Sequence, residues 1–541
     1  MTDGTKAADP AKAEYEYIVV GSGAGGGTVA ARLAEAGARV LVLEAGGDPK
    51  RLQGGNPLFP QAERLAQDYE VPAFHALSTE NHALRWDFWV RHYGDTAKQK
   101  RDPKYRETFN GETVDGVYYP RAGALGGCTA HNAMILLYPH NKDWEDIAAL
   151  TGDKSWKADA MRGYFERMED CRHRLWPPWR WIGKLLGWNP TRHGFNGWLR
   201  TEKAFPRRAL WDFVLVHTLA RAVKYALKKN DDPVNRFTWA FEGKGDPNDW
   251  RLVEEDAIGI RYPPLTTRGH ARMGTRERLL EVQHRHPDRL TIELDALVTR
   301  VLIDDDNRAI GVAYQKGKRL YEAHWRPSGH DGEARQVFAS REVILAGGAF
   351  NTPQLLMLSG IGDRAALEAH GIAVRADLPG VGKNLQDRYE VTQVNRMKSD
   401  WGHSAAWNCA RVTASTGNGR TAAAPIPPTA RRLPWCAGPP LPVPCLICSV
   451  SPCSAASWAI SRAIRAIPSA PIISPGPCSR RTRTTPAARS NSTLTIPRTR
   501  ASGRRSTSDT SRREPMPAAR IWLPWSRASS SCTRQQAPSG I

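Results

Sequence analysis

The sequence predicts an α/β protein whose front part is organised around a dinucleotide-binding unit. Two observations carry this prediction. Between Tyr17 and Glu44 an apolar strand, a glycine-rich turn, a helical pattern, a second apolar strand and an acid follow one another. Two more glycine-rich stretches recur far along the chain, at residues 121–132 and 348–362. At 541 residues the chain has length for two or more domains and a large core, so no disulfide or metal scaffold is required. No apolar run approaches the roughly 18 residues of a membrane span, and Met1 to Ala13 lacks the apolar core of a signal peptide. The expectation is therefore a cytoplasmic protein.

The first unit begins with the strand pattern Tyr17 to Val20, which runs directly into Gly21-Ser22-Gly23-Ala24-Gly25-Gly26. A helical pattern covers Thr28 to Ala36, and Ala38 to Leu43 is apolar enough for a buried parallel strand ending in Glu44. Each position has a physical reason. Gly21 permits the tight turn, Gly23 lets backbone N–H groups approach a pyrophosphate, and Gly26 allows the helix to pack closely. Glu44, 18 residues beyond Gly26, is placed to accept hydrogen bonds from a ribose. This fingerprint alone does not separate FAD from NAD.

The later stretches do. Arg121 to Asn132 reads RAGALGGCTAHN and is followed by Tyr138-Pro-His-Asn-Lys-Asp-Trp144. Gly348 to Gly362 reads GAFNTPQLLMLSGIG, and Leu378 to Asp387 reads LPGVGKNLQD. In these motifs, and in their order, the chain resembles the glucose-methanol-choline (GMC) family of flavin oxidoreductases from about Tyr15 to Trp401, on the side of the choline dehydrogenase and oxidase branch. The resemblance implies an FAD-binding Rossmann-like domain of the glutathione-reductase type and a discontinuous α+β substrate domain, incomplete in this chain. The expected division gives 14–60, 112–149 and 288–390 to the FAD domain and 61–111 to a lid or connecting segment. Residues 150–287 and 391–401 fall to the partial substrate domain.

Residue by residue, the resemblance implies that Gly21, Gly23, Gly26 and Glu44 hold the pyrophosphate and ribose of FAD. Gly126, Gly127 and Asn132 pass beside the isoalloxazine. Val298 presents its backbone to the adenine, and Ala346 and Gly347 end a strand beneath the cofactor. His131 stands where the choline oxidase branch bonds a histidine covalently to the flavin. A covalent link and a packed histidine both remain open, and Ala133 departs from the serine of that branch. The implied reaction oxidises the CH–OH group of a small alcohol by hydride transfer to FAD, with an electron acceptor that the sequence does not specify. The family's base is a histidine near the C-terminus. This chain has no match for that segment, because its one histidine after Trp401 is His403, outside any recognisable motif. No catalytic residue is assigned.

Other features carry less. Cys128 reads as a packed thiol, and Cys445 and Cys448 have zinc-like spacing without a second pair, so no metal is assigned. The segment His173 to Pro190 interleaves Trp176, Trp179, Trp181 and Trp188 with Arg174, Arg180 and Lys184. Such a pattern suits peripheral membrane contact or an apolar substrate mouth, with a packed surface excursion as the plainer alternative. Thr266 to Leu280 reads as a loop entering a helix, with a structural role for His270.

The net charge of +21 is unevenly placed. Residues 402–541 hold 19 Arg, no Lys, and only Asp509 and Glu514 as acids, so they carry +17 of it. They also hold seven of the nine cysteines and 19 of the 39 prolines, and contain no Phe or Tyr. That profile fits GC-rich coding DNA read in a shifted frame. Moving the codons of Pro475 to Thr493 and of Arg513 to Thr533 back by one nucleotide permits sequence resembling the family's substrate domain. The expectation is a frameshift near Trp401, followed by an aberrant, disordered tail and impaired activity. A nucleic-acid-binding arm is the alternative for the tail, although its cysteines and tryptophans fit such an arm badly, and no specific nucleic acid is expected. A lyase using the same fold without redox chemistry is the alternative for the front part.

Overall fold

The computed structural model describes residues 13–52, 54–55, 66–109, 111–174, 189–203, 245–255, 261–383 and 385. The Trp-rich stretch 175–188, residues 391–401 and the tail 402–541 lie outside the described residues.

Strand β1 (Tyr15–Val20) is fully buried over its second half, helix α1 (Ala24–Glu35) follows, and strand β2 (Val40–Leu43) is buried throughout. Burial on both faces explains why Val40 to Leu43 reads as an unbroken apolar run. The helix starts four residues ahead of its sequence expectation. Gly25, Gly26 and Gly27 have low helix propensity, at about 1 kcal/mol each, and so hide the start from any pattern reading. It stops at Gly37, whose φ of +92° lies in the left-handed region that favours glycine after a helix.

Two short helices come next, α2 (Ala66–Glu70) and α3 (His75–Glu80). Strands β3 (Arg85–Val90), β4 (Tyr105–Phe109) and β5 (Glu112–Ala122) then form an antiparallel sheet in the order β3-β5-β4. The β4–β5 pairing spans residues 111 and 112, where the sequence reading separates a connecting segment from the FAD domain. A second sheet runs in chain order through β6 (Glu169–Cys171), β7 (Leu199–Lys203), β8 (Pro264–Arg268) and β9 (Ala271–Arg272).

The chain then returns to the first unit. Strands β10 (Leu290–Glu293), β11 (Ala296–Ile303), β12 (Ala309–Lys316) and β13 (Glu333–Leu345) complete a six-stranded sheet ordered β10-β2-β1-β13-β12-β11. Its first four strands are parallel, and β12 and β11 extend it antiparallel. β13 is long because it serves both parts: Glu342 to Leu345 pair with β1, and Glu333 to Phe338 pair with β12.

Successive residues of β1 and β2 face opposite sides, as strand geometry requires. Val19, Val40 and Val42 pack with Ala30, Ala31 and Ala34 of α1, while Ile18, Val20, Leu41 and Leu43 pack with Val301, Val312 and Leu355. Each such aliphatic side chain contributes about 1.5–3 kcal/mol by leaving water. Leu279 and Val282 join the first cluster, so helix Thr275–Arg285 lies against α1 and ahead of the expected division at residue 288. Among the described residues no helix is long and apolar enough to cross a membrane.

Candidate cofactor-binding site

Strands β1, β2 and β13 end on one edge of the parallel sheet, the usual place for a ligand in this architecture. Gly21 follows β1 with φ +97° and donates its N–H to the Leu43 carbonyl at 2.8 Å. A Cβ at Gly21 would lie 2.5 Å from the Ala346 carbonyl oxygen, and one at Gly26 would lie 2.0 Å from the Gly21 carbonyl oxygen. Both glycines are thus required by close approach of backbone. Ala346 donates to the Val20 carbonyl at 2.8 Å, and Gly347 precedes helix Gly348–Leu358, so these two residues wall the turn from the β13 side.

Gly23 differs from its neighbours. It caps α1 without a side-chain hydrogen bond, no acid occupies the first helical turn, and Ala24 and Gly25 are exposed. A Cβ placed there would meet only the Gly127 Cα, at 3.9 Å. The open space and the unfilled N–H groups of a helix N-terminus form a cradle for an anion. Gly127 closes it from one side: its φ is +49°, and a Cβ on it would lie 2.7 Å from the Gly23 Cα.

The loop from Gly126 to Asn132 is tied to the turn by Ser22, a residue the sequence reading did not single out. Gly126 donates its N–H to Ser22 Oγ at 2.9 Å, and Ser22 Oγ donates to Glu44 Oε2. Glu44 also accepts from the Ser22 N–H at 3.1 Å and the Gly46 N–H at 3.0 Å. Burial raises the Glu44 carboxyl above its ordinary range against the pull of these hydrogen bonds. The Ala45 N–H adds a fourth donor, so the carboxylate is held by protein groups at about all of its acceptor sites. Glu44 therefore joins the two glycine-rich stretches as well as facing the end of β2.

From its other side the loop is held by Arg272. This buried guanidinium donates to the carbonyls of Tyr69 (2.7 Å), Thr129 (3.0 Å) and Asn132 (2.9 Å) and to Asn132 Oδ1 (2.7 Å). Burial lowers its pKa to about 10. Helix α3 adds Ser78 Oγ to the Ala130 carbonyl at 3.0 Å and Thr79 Oγ1 to the His131 carbonyl at 2.8 Å. His131 is buried under these contacts, whereas Asn132 is exposed. The Cys128 thiol is free and packs beside Tyr69, Leu84, Ala122, Ala124 and Ala130. His270 occupies the turn between β8 and β9, its N–H on Glu202.

Helix Thr275–Arg285 locks the whole arrangement. Thr275 Oγ1 donates to the Ser22 carbonyl at 2.9 Å, and a Cβ on Gly27 would lie 2.5 Å from the Thr275 Cβ. Arg276 makes two bonds to the Asp48 carboxylate, at 2.6 and 2.8 Å. Burial works to raise Asp48, but Arg276 and the Lys50 N–H hold it below the usual range. Of the predicted positions, Gly21, Gly23, Gly26, Glu44, Gly126, Gly127 and Ala346 form one connected set. Val298 sits in β11 against the opposite apolar cluster, joined to the set through the Ala296 N–H on the Glu44 carbonyl at 2.9 Å.

A left-handed turn, an open helix N-terminus and an acid at the end of the next strand define a dinucleotide-binding α/β protein. The model of the family described as GMC oxidoreductase matches residues 15–390, and the chain belongs to that family. It is 30% identical over 380 residues to human mitochondrial choline dehydrogenase, covering 70% of this chain and 51% of that protein. It is likewise 30% identical over 383 residues to an alcohol dehydrogenase [acceptor] of Pseudomonas putida, covering 70% and 54%. The chain thus spans about half the length of the curated relatives it matches. Among solved structures it is similar to pyridoxine 4-oxidase from Mesorbium loti, with a TM-score of 0.48, 24% identity, and coverage of 69% of this chain and 57% of that one.

Proposed function

We propose that this chain binds FAD across the edge of the parallel sheet and derives from an enzyme that oxidises the CH–OH group of a small alcohol. The observation that carries the proposal is the cradle at Gly23, a helix N-terminus with no side-chain cap, walled by Gly127 and set between Gly21 and Ala346. Its N–H groups would take the pyrophosphate, and Glu44, at the end of β2, would face the ribose. Val298 would face the adenine with its backbone, and Ala346 and Gly347 would lie beneath the cofactor. Gly126, Gly127 and Asn132, held by Arg272 and α3, would border the flavin ring. When bound, FAD supplies the hydride-accepting chemistry. Relatives named choline dehydrogenase and alcohol dehydrogenase [acceptor] support an alcohol donor.

His131 is read as a packed side chain, since it is buried and its carbonyl is held by Thr79 of α3. Denaturant should then release all of the flavin, and a peptide retaining the mass of FAD would overturn this reading. Residues 402–541 are read as a shifted frame, which leaves the chain without the base that the family places near its C-terminus. The test is a pair of proteins, this chain and one whose frame is restored by a single nucleotide near codon 401. Anaerobic addition of an alcohol should bleach bound flavin in the restored protein and leave it yellow in this chain. Bleaching of this chain, or an intact frame in the DNA across codons 399–405, contradicts the proposal.

A further inference from the structure

The carboxyl edge of the parallel sheet carries a further acid that neither the sequence motifs nor the cradle uses. Strands β10, β2 and β1 run parallel and in register, with Glu293 beside Leu43 and Leu43 beside Val20. The residues that follow the three strands therefore emerge together, on the side where a dinucleotide lies in this architecture. After β1 they are the glycine turn, after β2 Glu44 to Gly47, and after β10 Leu294 and Asp295. Backbone bonds tie the last two segments together: the Asp295 N–H donates to the Gly46 carbonyl at 3.1 Å, and the Ala296 N–H to the Glu44 carbonyl at 2.9 Å. Asp295 Oδ1 lies over Gly47, 3.9 Å from where a Cβ on that glycine would be.

Two properties separate Asp295 from an ordinary loop acid. Its φ is +52°, in the left-handed region that glycine, asparagine and aspartate enter at least cost, and the Gly317 N–H holds its carbonyl at 2.8 Å. Its side chain is half-buried, yet among the described residues it makes no hydrogen bond or ion pair. Burial raises its pKa, opposed by the charges of Lys318 and Lys316. Lys316 is itself engaged, with Nζ 2.6 Å from the Leu294 carbonyl and 3.2 Å from Glu293. A half-buried carboxylate without donors costs free energy, which the donors of a ligand would recover.

Glu44 is the opposite case. Its carboxylate accepts from the Ser22 N–H and hydroxyl and from the Gly46 N–H, and the Ala45 N–H adds a fourth donor. Those bonds hold the glycine turn to the Gly126 loop, and about all of its acceptor sites are filled. Asp295, one strand further along the same edge, keeps its acceptor sites open. With the pyrophosphate of FAD at Gly23, the hydroxyls of the adenosine ribose are the neutral donors that the ligand brings to the ends of β2 and β10. We propose that Asp295 binds the adenosine ribose, its carboxylate accepting hydrogen bonds from the 2′- and 3′-hydroxyls, while Glu44 holds the turn. The assignment rests on the FAD reading above and moves the ribose contact from the acid of the sequence motif to one outside it.

The test uses the full chain loaded with FAD, which is displaced by ADP or by 2′,3′-dideoxy-ADP and followed by flavin fluorescence. From wild type, ADP should displace FAD at a concentration at least about tenfold lower than the dideoxy nucleotide, the order of one hydrogen bond to a charged acceptor. Asp295→Gly suits the left-handed φ and removes the carboxylate, so it should make the two nucleotides nearly equal. Asp295→Asn also tolerates this φ, and it should weaken FAD binding without lowering the melting temperature of the FAD-free chain, because no protein donor loses its partner. Inosine diphosphate, which lacks the adenine amino group, should compete as well as ADP. A wild type that binds FAD but does not distinguish ADP from dideoxy-ADP, a preference that survives Asp295→Gly, or discrimination against inosine diphosphate alone would overturn the role of Asp295 and leave the cradle standing. A wild type that binds no FAD would overturn the cradle and this assignment together.

Discussion

Gly21 and Gly23 stand two residues apart and differ in what a methyl group would do. At Gly21 it would be forced onto the Ala346 carbonyl at a left-handed φ, so Gly21→Ala should cost about 1–3 kcal/mol, read as a lower melting temperature with or without FAD. At Gly23 the φ is −64° and the nearest atom is 3.9 Å away, so Gly23→Ala should leave the melting temperature of the FAD-free chain unchanged. Its FAD affinity should nonetheless fall at least about tenfold, or about 1.4 kcal/mol, measured by flavin fluorescence. Equal effects of the two substitutions on the FAD-free protein would remove the distinction. Arg272 is the third informative residue. Arg272→Met leaves four oxygens without their donor, and a loss of about 3 kcal/mol or more is expected in chemical denaturation.

At the level of elements, helix α3 makes the loop Gly126 to Asn132 sensitive to pH. His75 is buried, and burial lowers its pKa from 6.5 to about 4, with Nδ1 on the Pro72 carbonyl at 2.9 Å. The folded state holds it neutral, so its contribution is complete above pH 6.5 and is lost as pH falls through 4. The loss amounts to about 3 kcal/mol, and His75→Gln should flatten the fall of stability between pH 7 and 4.5 by that order. The β1, glycine turn, α1, β2 succession is legible in sequence because its causes are local: period, apolarity and glycine stereochemistry. The start of α1 is not, since three glycines mask it. Ser22, Arg272 and Thr275 escape sequence reading for another reason. Apart from the Ser22–Glu44 bond, the contacts that tie them into the site join residues more than 100 positions apart, and no local pattern marks them. The buried ion-pair cluster of Glu169, His193 and Asp246 is hidden likewise, because its members arrive from separate segments of the chain.

At the scale of the whole molecule, the family match covers residues 15–390, and residues 402–541 lie beyond it. The parallel sheet is assembled from residues 15–43 and 290–345, so the cradle is complete before residue 391. FAD binding and turnover should therefore separate. Restoring the frame should raise the melting temperature as well as the activity, because a complete substrate domain would add buried apolar contacts. The most direct measurement is a titration of the purified full chain with FAD, followed by flavin fluorescence and repeated with Gly23→Ala. Saturable one-to-one binding to the chain, weakened by that substitution, is the predicted result. No saturable binding, or binding indifferent to Gly23→Ala, would contradict the assignment of the cradle.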